Sequence, residues 1–539
     1  MADIDPLRNR KFLLVEDFEA MRSMLKGLLL RCGAQRVDTA NDAREAANLL
    51  RNTSYDVVMC DYNLGPGKNG QQLLEESRVN NWIGPAAVWL MITAEKTSDM
   101  VSVAAEEAPD DYLLKPITEG LLQTRLLKLV DRKASLAGIA AAMKSHDWPR
   151  ALKLCSEQLE LGTRSMSEVL RLQAQLYQKI GDWPQARALY EAVLKRGQVA
   201  WARLGLAQVH LHLGDLPAAR STLVETVRDH PQYLEAYDCL ASLLAAQGHH
   251  QQELSVLERA ATISPNSAAR QSALGAAALK QGKPDAAARA FTRSMKLAEH
   301  SAVENVEPFL GMARIHTEAG APAEAQKVLA DLTKRHDSPK ARVLAKAEAV
   351  RALQAAGDVA GAARLAGELA ALARDGAGPL PSDVAMRVAE TLIEARQVEG
   401  ATHLLQYVTR NNHDDETLLR RAQQAFDSAG IGTAGSEMLV AARRQATDSM
   451  TEGVRLMAQG DLAAALESLR AAKAAMPQNT RVLLNFAAIA LTCLERQGRS
   501  AELESEVRAT IAAAQALRPD DPRGAQLLVR LAKVGAVAA

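Results

Sequence analysis

Lys11-Phe-Leu-Leu-Val-Glu-Asp17 joins a short apolar run to two adjacent carboxylates, and the first quarter of the chain repeats that construction three times. Asp56-Val-Val-Met-Cys60 leads into Asp61, Ala87-Val-Trp-Leu-Met-Ile92 into Thr93, and Asp111-Tyr-Leu-Leu114 into Lys115. Continuous apolar runs separated by helical patterns are what a parallel sheet covered on both faces requires. Helical spacing marks Glu19–Leu30, Asp42–Leu50, Gln71–Val79, Ser98–Glu107 and Glu119–Val130, and Gly65-Pro66-Gly67, Gly84-Pro85 and Lys115-Pro116 mark turns. Five strands and five helices fit residues 1–132. Glu16, Asp17, Asp61, Thr93 and Lys115 then stand at the carboxyl ends of strands, the edge at which open α/β sheets bind ligands.

At 539 residues the chain exceeds what one core can serve. Lysine plus arginine balances aspartate plus glutamate at 64 each, so no net field draws a polyanion, and no basic recognition helix is visible. The expectation is no nucleic acid. Cys32, Cys60, Cys155, Cys239 and Cys493 form no C-x-x-C pair, which fits reduced thiols better than a disulfide frame or a zinc site. The start, Met1-Ala-Asp-Ile-Asp-Pro6, is acidic where a secretory signal is basic, and no apolar run approaches the ~18 residues of a membrane span. A cytoplasmic protein without a membrane partner is expected.

After Ala134 the strand pattern stops and a period takes over. A glycine followed five residues later by a small residue recurs at Gly181/Ala186, Gly214/Ala219, Gly282/Ala287, Gly320/Ala325, Gly357/Ala362 and Gly460/Ala465, with Gly248/Glu253 an imperfect member. The glycines from 181 to 282 are 33, 34 and 34 residues apart, and the next steps are 38 and 37, which implies longer loops. Each glycine ends a first helix in a conformation other residues resist. A following aspartate or proline starts the second helix, and the alanine lets the two approach. Pro231, Pro265 and Pro477 close their units. His146-Asp-Trp-Pro-Arg-Ala151 reads as the first such turn and Arg396–Ala401 as one without its glycine, while Asp427–Gly435 is irregular. The pattern resembles the tetratricopeptide (TPR) repeat, a ~34-residue helix-turn-helix. About eleven pairs fit between Ala134 and Arg523, with Gly524–Val537 as a capping helix.

The first part resembles, over residues 8–132, the receiver domain of two-component response regulators. The fold class implied is α/β plus all-α: a flavodoxin-like (βα)5 receiver over residues 1–132, then a TPR solenoid over 133–539. The resemblance makes Asp61 the phosphoacceptor. It assigns Mg2+ to Glu16, Asp17, Asp61 and the backbone carbonyl of Asn63, and makes Thr93 and Lys115 the partners of the phosphoryl oxygens. Tyr112 matches the aromatic switch, and Lys115-Pro116 the family's cis peptide. The 22 residues from Thr93 to Lys115, with Asn63 and Glu95, match the chemotaxis type, whose phosphoryl group is short-lived. The loop from Asp61 to Gly70 is one residue longer than the commonest form.

The reading is a response regulator of a phosphorelay, phosphorylated by a sensor histidine kinase or phosphotransfer protein, with repeats that hold a further protein as output. Arg171, Gln175, Gln178, Gln208, His212 and Lys280 are candidates to line the repeat groove. The alternatives are a phosphate sink that withholds phosphoryl groups from another regulator, and a scaffold indifferent to phosphorylation; homodimerisation stays open. His249-His250 lacks ligand spacing, and no nucleophile has an identifiable base, so no enzyme activity beyond phosphoryl acceptance and self-hydrolysis is expected.

Overall fold

The computed structural model describes residues 6–84, 86–94, 109–162, 165–301, 303–376, 380–413, 415–498, 500–518 and 521–536. The expected helix Ser98–Glu107, with Pro85, Glu95 and Val537, lies outside them. Strands β1 (Lys11–Val15), β2 (Arg36–Ala40), β3 (Val57–Asp61), β4 (Val88–Thr93) and β5 (Asp111–Leu114) form one parallel sheet in the order β2-β1-β3-β4-β5. The register pairs Val15 with Cys60, Asp61 with Ile92 and Thr93 with Leu114, so the polar strand ends arrive side by side.

Alternation along the strands builds two cores. Phe12, Leu14, Val57, Met59, Leu90 and Ile92 pack with α1 (Glu19–Arg31) and the helix that begins at Glu119. Leu13, Val15, Val58, Cys60, Trp89 and Met91 pack on the other face with α2 (Ala43–Asn52) and α3 (Gly70–Val79). Strand β2 carries no apolar run because it is an edge strand, burying only Val37 and Ala40.

The helix α4 runs unbroken from Glu119 to Lys144, so the division expected between 132 and 133 falls within it. The chain forms two compact units, Met1–Tyr177 with Asp182–Pro308, and Gln178–Gly181 with Phe309–Ala539. The end of α4 pairs with Trp148–Glu160 to open the repeats, and Pro522–Ala536 closes them. Among the described residues, eleven pairs can be drawn only if two helices are shared: α4, and the 27-residue helix Gly432–Ala458. Asp427–Gly435 itself holds a turn of the common kind, with Gly430 at φ 74° and the small Gly435 five residues on against Phe426; the fusion lies further along, inside the helix Gly432–Ala458 that two units share. The wider separation of the helix ends at Leu297 and Glu307 accounts for the 38-residue step, whereas the 37-residue step comes from a longer helix, the 17-residue Pro339–Ala355, and not from a longer connection.

The punctuation holds at each turn. Gly181, Gly214, Gly248, Gly282, Gly320, Gly357 and Gly460 have φ between 66° and 87°, the left-handed region. At the two turns without glycine, His146 and Arg396 take φ of 57° and 59°, the same conformation at a steric cost. Asp147, Asp182, Asp215, Asp358 and Asp461 each accept a backbone N–H of the helix they start. Ala186, Ala219, Ala287, Ala325 and Ala465 are wholly buried. Glu253, in the imperfect unit, is buried as well and is paired by His250 at 3.0 Å.

Candidate functional site

The site starts from the turn after β1. Glu16 N–H donates to Ala40 O at 3.2 Å, which carries the ladder one residue past the strand and buries the Glu16 side chain to 1% exposure. Asp17 is exposed. Arg22, one turn into α1, donates through Nη1 to Glu16 O at 2.7 Å and Asp17 O at 3.2 Å, so the helix holds both carbonyls of the acidic turn. The residue before α1 is Phe18, which makes no capping bond, and Asp17 is therefore not consumed as a helix cap.

Asp61 ends β3 at 6% exposure. Its backbone is crowded from the far end of the loop: a Cβ on Gly70 would come within 2.2 Å of Asp61 O, and Gly70 N–H donates to Tyr62 O at 2.8 Å. Gly70 starts α3, where Asn69 and Gln72 cap one another reciprocally. The extra length of this loop is absorbed by two left-handed glycines, Gly65 and Gly67, and Gly65 packs close to Asp17 Oδ2.

Lys115 crosses the strand ends. Its ammonium donates to Glu16 Oε2 at 2.9 Å and to Asp61 Oδ2 at 2.7 Å, while its backbone N–H bonds Thr93 O at 2.8 Å. The following Lys115-Pro116 peptide is cis. Burial raises the Glu16 carboxyl above its ordinary range; the Lys115 hydrogen bond opposes that shift and the Asp61 charge adds to it. For Lys115 burial alone would lower the ammonium, but the bonds to Asp61 and Glu16 outweigh it and the net shift is upward. A cation thus already bridges two carboxylates that would otherwise repel.

Glu16, Asp17 and Asp61 offer carboxylate oxygens that all lie within 4.8 Å of one another. Three hard oxygen donors, one of them on the exposed rim, suit a small divalent cation that keeps part of its water shell. Asn63 is exposed two residues past Asp61, on the same loop. Thr93 closes β4 at 4% exposure. Tyr112 is half-buried in β5 against the core of Trp89 and Met91; burial, then the Tyr62 phenol, push its hydroxyl upward, and Arg78 pulls it back.

The groove candidates divide. Arg171 and Gln175 are exposed on Met166–Ile180 and line one cavity; Arg171 exerts its field on Tyr190 in the partner helix of its own pair and on Tyr233 and Glu235 two pairs further on. Gln208 is exposed, His212 stacks on Trp183 with ring centroids 3.7 Å apart, and Lys280 stands 3.8 Å from Glu253. Gln178 is half-buried at the end of its helix. Reading the sequence missed Arg22, whose contacts to carbonyls leave no sequence signal, and it missed that Gly70 has no room for a side chain.

Both parts of the chain are similar to known proteins. A response regulator receiver domain matches residues 12–127, and tetratricopeptide repeat families match residues 171–233 and 278–349. Chemotaxis protein CheY-3 of Vibrio cholerae is 34% identical over 125 residues, covering 23% of this chain and 95% of the relative. Chemotaxis protein CheY of Pseudomonas aeruginosa is 33% identical over 122 residues, covering 23% and 97%. A solved tetratricopeptide repeat protein from Parabacteroides merdae aligns with 48% of this chain and 98% of its own, at 13% identity and a TM-score of 0.38.

Proposed function

Because this chain belongs to the response-regulator receiver family through residues 12–127 and continues into tetratricopeptide repeats, we propose that it accepts a phosphoryl group on Asp61 and answers by changing which protein its repeats hold. The observation that carries this reading is the buried Asp61 carboxylate, with Oδ2 2.7 Å from Lys115 Nζ at the edge where three acidic side chains converge. An Asp61 oxygen attacks the phosphorus of a histidine-kinase phosphohistidine; the P–N bond breaks, its electron pair returns to the imidazole, and an aspartyl phosphate remains. Glu16, Asp17, Asp61 and the Asn63 carbonyl would hold Mg2+, which offsets charge on the phosphoryl oxygens when bound. Lys115 shifts from bridging two carboxylates to pairing with the phosphoryl group, and Thr93 donates its hydroxyl from the end of β4. Hydrolysis by water later restores the carboxylate and releases inorganic phosphate. We place this cycle in the cytoplasm.

Two routes run from Asp61 to the repeats. One is the rearrangement of Thr93 and Tyr112 along β4 and β5. The other is α3, which starts at Gly70 against the Asp61 backbone: Gln72 Nε2 donates to Leu297 O at 3.2 Å, and Ser301 Oγ donates to Glu75 Oε1 at 2.9 Å, at the end of the fifth helix pair. The test treats the purified chain with acetyl phosphate and magnesium, locates the modification by mass spectrometry, and repeats a pull-down with Asp61→Asn. Phosphoryl incorporation confined to Asp61 and a phosphodonor-dependent set of captured proteins are expected. No incorporation, or incorporation elsewhere, ends the reading.

A further inference from the structure

At the amino ends of β4 and β5, the edge of the sheet opposite Asp61, lies a cavity of about 760 Å³. Its volume falls within the range of sites that enclose small molecules, roughly 300–1,000 Å³. The receiver supplies Ile83, Val88 and Trp89, the last third of α4 supplies Leu136, Ala140 and Met143, and Leu172 closes the wall from the first full repeat. That lining is apolar. The charges at its margin are not balanced: Arg78, Arg132, Lys133, Lys144 and Arg171 line the cavity against Asp110 and Glu168. Arg132 is engaged by both carboxylates, at 3.2 Å from Asp110 and 3.3 Å from Glu168, and Lys133 lies 3.0 Å from Asp110. Lys144 and Arg171 are exposed cations on two different helices that face one space.

A second, independent observation comes from the floor. Trp89 is 1% exposed and lines the cavity, and its indole N–H finds no hydrogen-bond acceptor among the described residues. A buried donor without an acceptor costs free energy, and a site that supplies the acceptor recovers it. We propose that this cavity binds an anionic small molecule with an apolar body, whose acid group is met by Lys144 and Arg171 and one of whose oxygens accepts from Trp89 Nε1. The acid can be a carboxylate or a phosphate ester. The ligand would bridge the receiver, α4 and the first repeats, and nothing in this inference requires Asp61.

The experiment uses the full chain carrying Asp61→Asn and the fluorescent probe anilinonaphthalene sulfonate, an anion on an apolar body. Saturable binding is expected, displaced by decanoate, by decyl phosphate or by both, and the stronger competitor identifies the acid. Inorganic phosphate, which lacks the body, is expected not to compete. Lys144→Ala with Arg171→Ala should weaken the probe by about ten-fold, and Trp89→Phe, which keeps a ring and removes the donor, by about three-fold. Circular dichroism checks that each variant is folded. If Trp89→Phe does not fold, the two surface cations alone decide. Probe affinity unchanged in the cation variant, absent saturation, or displacement by inorganic phosphate as effective as by decanoate overturns the proposal.

Discussion

The receiver and the repeats place their decisive residues at opposite ranges. Lys115 and Glu16 bond across 99 positions of sequence, whereas each repeat turn is settled within six residues, as in Gly214-Asp-Leu-Pro-Ala-Ala219. Chemistry in the receiver therefore depends on how separate strands are registered, and no single local preference creates it. Stability in the repeats is a sum of near-identical local choices, so one change is felt by a helix pair and its neighbours. Substitutions should accordingly separate into those that stop the chemistry and leave the fold, and those that loosen the fold and leave the chemistry.

The largest effect expected is on phosphoryl transfer. Lys115→Gln removes the cation that meets Asp61 and should slow labelling by acetyl phosphate about 100-fold or more, on the scale of losing one preorganised donor. The melting of unit Phe309–Ala539 should not change; if it does, the contrast between the two regions fails. Next comes packing. Gly205 has no space for a Cβ, which would meet the Tyr190 ring at 2.2 Å, so Gly205→Leu should cost about 2–3 kcal/mol in denaturant unfolding with labelling at Asp61 retained.

Backbone strain gives a smaller and sign-reversing test. Gly357 at φ 78° and Arg396 at φ 59° occupy equivalent turns. Gly357→Ala should destabilise by about 1 kcal/mol, and Arg396→Gly should stabilise by about 0.5 kcal/mol after the added freedom of the unfolded glycine is subtracted. Equal signs for the pair would break the equivalence. The smallest effect is electrostatic. Arg470, and then Lys473, hold the Glu506 carboxyl below its ordinary value. The unfolded group therefore takes up its proton first, and the contribution is present above about pH 4.3 and fades as the pH falls through the lower folded value. Because these side chains remain partly exposed to water, about 0.5 kcal/mol is at stake. Glu506→Gln should flatten that acid limb.

Strands β1, β3 and β4 were legible because they lie inside the sheet and read as unbroken apolar runs ending in a polar residue, and the edge strand β5 was legible from the Tyr112-Leu-Leu114 run that precedes Lys115. Strand β2 was not, since Arg36-Val-Asp-Thr-Ala40 lies at the sheet edge with its charged positions in solvent. The left-handed turns were legible wherever glycine marks them. The helix Gly432–Ala458 was hidden because the usual break between units is absent, and the stretch Ser436–Glu452 runs on without glycine or proline to mark where one unit passes into the next. At the site, residue types suggested who takes part, but not that Lys115 ties Glu16 to Asp61 before any phosphoryl group arrives. That bond exists only because the sheet order sets β1, β3, β4 and β5 side by side.

The 26-residue helix that leaves β5 and becomes the first half of the first repeat is a shaft of about 39 Å without a joint. Each residue inserted into it would swing everything downstream by about 100° around its axis, and a whole turn would be needed to bring the parts back nearly into phase. Length in that segment is therefore fixed more tightly than composition. A chain of this design can change its surface residues freely, yet it tolerates insertions or deletions in the shaft only in steps of three or four.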